Sequence, residues 1–176
     1  DKLYAVVKRQ AVLAARAGVD MFRIVGDVAM QDRMIMGRQK WCEFDKPRLA
    51  EVVDAARAVK PDMIFYFHTD GNHFEIIPDL IEIGFNILDP MQPECMDLEE
   101  IKKRWGDRIT MRSTVSNQRT LPFGSVQDVV AEVKRNIDVL GRDGGLILGP
   151  SNVVSFDVPV ENIVALYETA LEYGVY

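Results

Sequence analysis

Apolar and polar positions alternate along this chain in two rhythms, and one compound pattern recurs five times. An amphipathic stretch with helical spacing stops at Gly or Pro, a short apolar run follows, and that run ends in polar residues. The first repeat runs from Leu3 to Ala17, turns at Gly18, and continues as an apolar run from Met21 to Val25 that ends at Gly26-Asp27. The second has a helix expected near Pro47 to Val59, then Pro61 and a strand from Met63 to Phe67 that ends at His68. The third pairs Ile76 to Ile83 with Phe85 to Leu88, ending at Asp89, and the fourth pairs Leu98 to Trp105 with Ile109 to Arg112, ending in Ser113-Thr114-Val115-Ser116. The fifth joins Val126 to Leu140 through Gly141, Gly144 and Gly145 to Leu146–Leu148, and a last helix is expected over Val160 to Glu172. Glycine just past a helix closes it in the left-handed conformation. Short, almost wholly apolar strands between helices predict parallel strands covered on both faces.

Right-handed crossovers leave two main solutions for such a β/α repeat, an open doubly wound sheet or a (β/α)8 barrel. A barrel needs eight strands and five are visible, so the barrel solution makes residues 1–176 its C-terminal five β/α units, with the N-terminal strands absent. No linker, charge block or low-complexity tract divides the chain, so a single partial-barrel domain is expected. Such a part-barrel would leave strand edges exposed, to be covered by a missing N-terminal segment or by a second copy.

Chemistry concentrates at the strand ends. In Phe65-Tyr66-Phe67-His68-Thr69-Asp70-Gly71, alternation puts Ile64, Tyr66, His68 and Asp70 on one face. His68 and Asp70 therefore converge at the C-terminal end of a strand, where α/β folds place their chemistry. As metal ligands they supply one nitrogen and one carboxylate, and a catalytic zinc wants three protein ligands with an open position. The third is open between Cys95, His73, Glu75 and a residue in the absent N-terminal part. Asp27 ends the first strand and serves either as an acid/base or metal-reaching carboxylate, or as the cap of the helix that follows. Gln92 and Glu94 sit in a loop stiffened by Pro90 and Pro93, while Ser113, Thr114, Ser116 and Gln118 make a hydroxyl- and amide-rich strand end suited to a polar or anionic substrate. Arg112 and Arg119 can pair with carboxylates but are expected at the surface, and Cys95 is expected as a lone buried thiol. The spacing of Gly141, Gly144, Gly145 and Gly149 fits neither a P-loop nor a dinucleotide fingerprint, and these glycines read as turn residues.

Composition narrows the classes. A hydrophobic content of 48% and a charged content of 27% are ordinary for a globular domain. The net charge of −6 argues against non-specific nucleic-acid binding, which needs a basic surface. No apolar run approaches the ~20 residues of a membrane span. Two cysteines make no disulfide framework, and a polar opening without a signal peptide points to the cytoplasm.

Several segments, in order, resemble the uroporphyrinogen decarboxylase superfamily. They are Gly26-Asp27-Val28-Ala29-Met30-Gln31, His68-Thr69-Asp70-Gly71, the run from Ile76 to Asp97 that contains Leu88-Asp89-Pro90-Met91-Gln92-Pro93, then Ser116-Asn117-Gln118-Arg119-Thr120-Leu121-Pro122-Phe123-Gly124, and Asp157-Val158-Pro159-Val160-Glu161-Asn162-Ile163. The resemblance implies a TIM-type (β/α)8 barrel with its site at the C-terminal mouth. It implies one of two chemistries: cofactor-free decarboxylation of a tetrapyrrole, or methyl transfer between a corrinoid carried by a partner protein and an acceptor such as a thiol, on zinc held by His-x-Cys and a later Cys. The chain is closest to the methyltransferase-like subgroup with His-x-Asp-Gly. Asp70 stands where that branch has its first Cys, and Asn152 stands where the superfamily has a late His or Cys. On this resemblance His68 and Asp70 are the metal pair, Asp27 a catalytic acid/base, and Gln92, Ser116, Gln118 and Asn152 substrate contacts. The departures at Gly26, Ser116 and Asn152 also fit a binding protein that kept the fold and lost the chemistry.

Overall fold

A computed structural model describes residues 1–175. Five strands alternate with helices in the expected sequence: α1 (Lys2–Arg16), β1 (Met21–Val25), α2 (Gly37–Arg57), β2 (Ile64–His68), α3 (Ile77–Ile83), β3 (Ile87–Asp89), α4 (Leu98–Trp105), β4 (Thr110–Arg112), α5 (Thr120–Phe123), α6 (Val126–Leu140), β5 (Leu146–Ile147) and α7 (Val160–Tyr173). Strand order in the sheet is chain order. The fold is α/β with parallel strands, the repeat of a (β/α)8 barrel in five units. The chain divides within β3 into two compact units, residues 1–88 and 89–176. None of the described helices is long and apolar enough to cross a membrane.

In residues 1–88, β1 and β2 pair in parallel, Met21 beside Ile64 through to Val25 beside His68. Phe65 and Phe67 pack edge-on against Phe85, with ring centroids 6.2 and 5.1 Å away. The sequence places Phe85 at the start of a strand, but it lies in the connection between α3 and β3. Gly84 takes φ +104°, and the N–H of Phe85 returns to the carbonyl of Leu80, which closes the helix before β3 starts at Ile87.

Helix α2 also differs from expectation. The sequence places a helix start near Pro47, yet α2 begins ten residues earlier at Gly37 and Pro47 lies inside it. Packing explains the difference. Trp41, Leu49, Val52, Val53 and Ala56 are each at most 1% exposed and follow one helical stripe across the proline. Burial of that stripe outweighs the backbone hydrogen bond lost at Pro47. Asp79, 3% exposed in its side chain, ties α2 to α3 through Arg38 (2.8 and 3.1 Å) and Lys46 (2.8 Å).

In residues 89–176 the core is Val115, Leu121, Val129, Val133 and Leu166, with α6 and α7 supplying most of it. Ser125 opens α6 with a capping box, its hydroxyl and the Asp128 carboxylate each answering the other's backbone N–H. Two buried asparagines close the remaining backbone. Asn136 Nδ2 donates to Thr114 O at 3.0 Å, and Asn162 Nδ2 donates to Leu121 O and Gly124 O, both at 2.9 Å. Gly144 and Gly145 take positive φ in the turn before β5, as the sequence suggested.

Candidate metal centre at the ends of β1 and β2

The in-register pairing of β1 and β2 sets the site. Past the last strand pair, Gly26 N still donates to His68 O at 3.0 Å, so the two chains leave the sheet side by side. Asp27 lies two residues beyond Val25 and Asp70 two beyond His68, so equal steps along parallel strands bring both to one height. Two side-chain bonds fix them there. Asp70 N donates to Asp27 Oδ1 and Val28 N to Thr69 Oγ1, each at 3.0 Å. One donor atom from each of Asp27, His68 and Asp70 lies within 4.8 Å of the other two, and among the described residues this is the one such cluster of three. His68 and Asp70 are half-buried, and Asp27 is exposed.

The segment after β1 is an ordered small hairpin. Ala29 and Met34 form an antiparallel bridge, and Met30 N donates to Arg33 O at 2.7 Å. The hairpin rests on the turn after β2, where Asn72 N donates to Met30 O at 2.7 Å. Gly71 permits this approach, because a Cβ there would lie 2.4 Å from the Met30 carbonyl oxygen. Asp27 therefore does not cap α2, which starts at Gly37; its carboxylate instead receives the Asp70 N–H.

The group that the structure brings beside His68 and Asp70 is Asp27, from 41 residues upstream of His68, and not one of the candidates that the sequence offered as a third ligand. His73 is buried with Nδ1 3.2 Å from Gly71 O, and Glu75 opens onto solvent from a 3-10 turn. The shared face of His68 and Asp70 was legible from alternation. The arrival of Asp27 was not, because the register of β1 on β2 is a long-range property.

The remaining sequence-predicted residues lie in residues 89–176. Gln92 is buried, and the Cys95 thiol donates to its Oε1 at 3.7 Å, the lone buried thiol expected. Ser116 is buried with its hydroxyl engaged on every side. It donates to Glu94 Oε1 and accepts from the backbone N–H of Arg119 (3.0 Å) and Thr120 (3.2 Å), while Ser116 N donates to Glu132 Oε1 at 2.9 Å. Glu132 was missed, since nothing in the helical pattern of α6 singles it out. Gln118 and Asn152 are exposed, and Asn152 Oδ1 accepts from Val153 N at 2.6 Å. Arg112 is partly exposed, and its guanidinium also donates to the 3%-exposed Asp89 at 2.7 Å.

Comparison with known proteins gives a consistent result. Residues 1–173 match the family described as Uroporphyrinogen decarboxylase (URO-D). The chain is 28% identical over 158 residues to the methylcobamide:CoM methyltransferase MtaA of Methanosarcina barkeri, a match covering 89% of this chain and 43% of that protein. It is 24% identical over 134 residues to a uroporphyrinogen decarboxylase of Hordeum vulgare, covering 73% of this chain and 37% of that one. A solved methyltransferase from Methanosarcina mazei superposes with a TM-score of 0.70 at 25% identity, over 96% of this chain and 48% of the other. The chain thus spans less than half the length of the relatives it matches.

Proposed function

The chain belongs to the uroporphyrinogen decarboxylase family, and from that premise we propose that it carries the metal-binding part of a methyltransferase that moves a methyl group between a corrinoid on a partner protein and a small acceptor such as a thiol. The observation that carries this reading is the convergence of three ligand atoms, from Asp27, His68 and Asp70, within 4.8 Å of one another. Two carboxylates and one imidazole make a donor set that a zinc ion or another first-row divalent cation accepts, with coordination left over for a substrate. Similarity to a methylcobamide:CoM methyltransferase and to a solved methyltransferase favours methyl transfer over decarboxylation.

A divalent cation held there would lower the pKa of a thiol or hydroxyl and make it nucleophilic at neutral pH. The chain's own groups do the rest. His68 and Asp70 would hold the ion, at the end of a strand paired in register with β1. Asp27, oriented by the Asp70 N–H and the most exposed of the three, would complete the donor set as the third ligand. Within residues 89–176, the exposed Gln118 and Asn152 are assigned to polar ligand contact on that unit, where Gln92 is buried. Ser116, whose hydroxyl is already bonded, orders the chain around them.

Metal analysis and zinc titration calorimetry test the reading. One ion per chain is expected, with affinity reduced more than tenfold in Asp27→Asn, His68→Ala and Asp70→Asn. The loaded protein should transfer methyl from methylcobalamin to a thiol. Metal-free protein that consumes uroporphyrinogen would establish decarboxylation instead, and ligand binding with neither turnover would mark a binding protein.

A further inference from the structure

Helices α1 and α7 each bury one face and expose a second apolar face away from it. On α7, Ala165 and Leu166 are buried, while Val160, Val164, Tyr167 and Leu171 are 45–78% exposed. On α1, Ala11 and Ala15 are buried, while Leu3, Val6 and Leu13 are 51–74% exposed, with the exposed Gln10 completing the row. Apolar residues scattered singly over a surface need no explanation. These are not scattered. Their intervals of three and four residues are those of positions a and d in a heptad, the seam along which two helices pack as a coiled coil.

A second observation concerns charge, and it names the occupant. With Leu3 and Gln10 at a and Val6 and Leu13 at d, the g positions of α1 are Lys2, Arg9 and Arg16, all exposed, and its e positions are Val7 and Ala14. With Val164 and Leu171 at a and Val160 and Tyr167 at d, the e positions of α7 are Glu161 and Glu168, both exposed, and its g positions are Ile163 and Ala170. Helix α1 carries no acidic residue and α7 no basic one. In a parallel pair the g flank of one helix meets the e flank of the other. A pairing of α1 with α7 therefore sets bases beside acids along one flank and apolar groups beside apolar groups along the other. Aligning Val6 with Val160 and Leu13 with Tyr167 puts Lys2 against Glu161 and Arg9 against Glu168. Either helix laid parallel to its own copy would instead set a charged flank against an apolar one.

We propose that these faces bind each other between two copies of this chain, α1 of one copy lying parallel to α7 of the other, head to tail. Two copies joined by one such seam carry a further α1 and a further α7, which meet in the same dimer or recruit more copies. A seam of two heptads is small for a specific interface, so the association is weak, and its exposed ion pairs make it sensitive to salt. The pairing stands whether or not the cluster of Asp27, His68 and Asp70 holds a metal.

The test is sedimentation velocity of the whole chain, followed from micromolar to hundreds of micromolar protein in low salt. The parent should sediment faster as its concentration rises, and less so when salt is added. Two double variants reverse one flank each, Lys2→Glu with Arg9→Glu on α1 and Glu161→Lys with Glu168→Lys on α7. Each alone should associate about tenfold more weakly than the parent or worse, since two ion pairs give way to two like-charge contacts. Mixed in equal amounts, the two variants should recover the parent's association, because every acid again meets a base. All four positions are exposed, so circular dichroism should show the parent's helix content in both. A parent that stays monomeric throughout overturns the proposal, as it would were these faces covered by other parts of a longer chain or by a different protein. Association that survives in either variant alone overturns it too, since that is the behaviour of a like-with-like pairing of α1 or of α7. So does a mixture that sediments no faster than its components.

Discussion

Replacing Gly71 by alanine separates two costs that the structure keeps apart elsewhere. Gly71 takes φ +84°, and a Cβ there would meet the Met30 carbonyl oxygen at 2.4 Å, its carbon at 2.8 Å and the Ala29 carbonyl carbon at 2.9 Å. These are backbone atoms, so no side chain can swing aside. Gly18 provides the control, with φ +81° and nothing within 4 Å of its Cβ position. Gly18→Ala bears only the left-handed backbone penalty, about 1 kcal/mol after the gain from a stiffer unfolded chain. Gly71→Ala adds an overpacking cost of about 1–3 kcal/mol and should lose about 2–4 kcal/mol in total. Urea unfolding followed by circular dichroism measures both, and unchanged slopes would keep the comparison clean. The extra loss should also be local. Pushing the 26–36 hairpin off the β2 turn loosens the bond from Asp70 N to Asp27, so amide exchange at Asp70 should quicken in Gly71→Ala and not in Gly18→Ala. Equal losses in the two variants would refute the claim that the hairpin is seated on Gly71.

Asp79→Asn should cost about 1–3 kcal/mol at neutral pH, since Arg38 and Lys46 can regain water when their carboxylate partner goes. Burial alone would raise the Asp79 carboxyl, but the bonds and charges of Lys46 and Arg38 outweigh it and hold the group below its ordinary value. Its contribution is therefore fully present above the unfolded-state value of about 3.9 and fades as pH falls through the lower folded value, a fall that acid unfolding of Asp79→Asn should lack. Tyr4 runs the other way. Burial first, then its bond to Asp45, pushes the phenol above its usual range, so its contribution persists below about pH 10 and is lost only as pH rises through the higher folded value. Tyr4→Phe should cost about 0.5–1.5 kcal/mol in urea unfolding near pH 7. Asn162→Ala, which strips the Leu121 and Gly124 carbonyls of a buried donor, should cost about 1–3 kcal/mol in the same assay.

Period and punctuation made most of the architecture legible in advance. The run Met21–Val25 and the helices Leu98–Trp105 and Val126–Leu140 stand where apolar spacing and flanking glycines put them. Where local signals misled, a distant partner was the cause. Pro47 reads as a helix start, and only the burial of Trp41 beneath the same stripe as Leu49 carries α2 back to Gly37. Phe85 reads as strand, and the left-handed Gly84 with the Leu80 carbonyl holds it in the turn that closes α3, short of β3. The site divides the same way. His68 and Asp70 share a face by alternation within one strand. Asp27 joins them by the register of a second strand, and Glu132 reaches Ser116 from a helix whose pattern marks only its core side.

The pairing of Val25 with His68 has a consequence for how this chain can change length. A residue inserted between Val25 and Asp27, or between His68 and Asp70, would turn one carboxylate to the opposite side of the sheet, because side chains reverse at every step. The turn from Gly141 to Gly145, which feeds β5 from its other end, carries no such constraint. Variants of this protein should tolerate longer and shorter forms of that turn, and hold both two-residue intervals invariant.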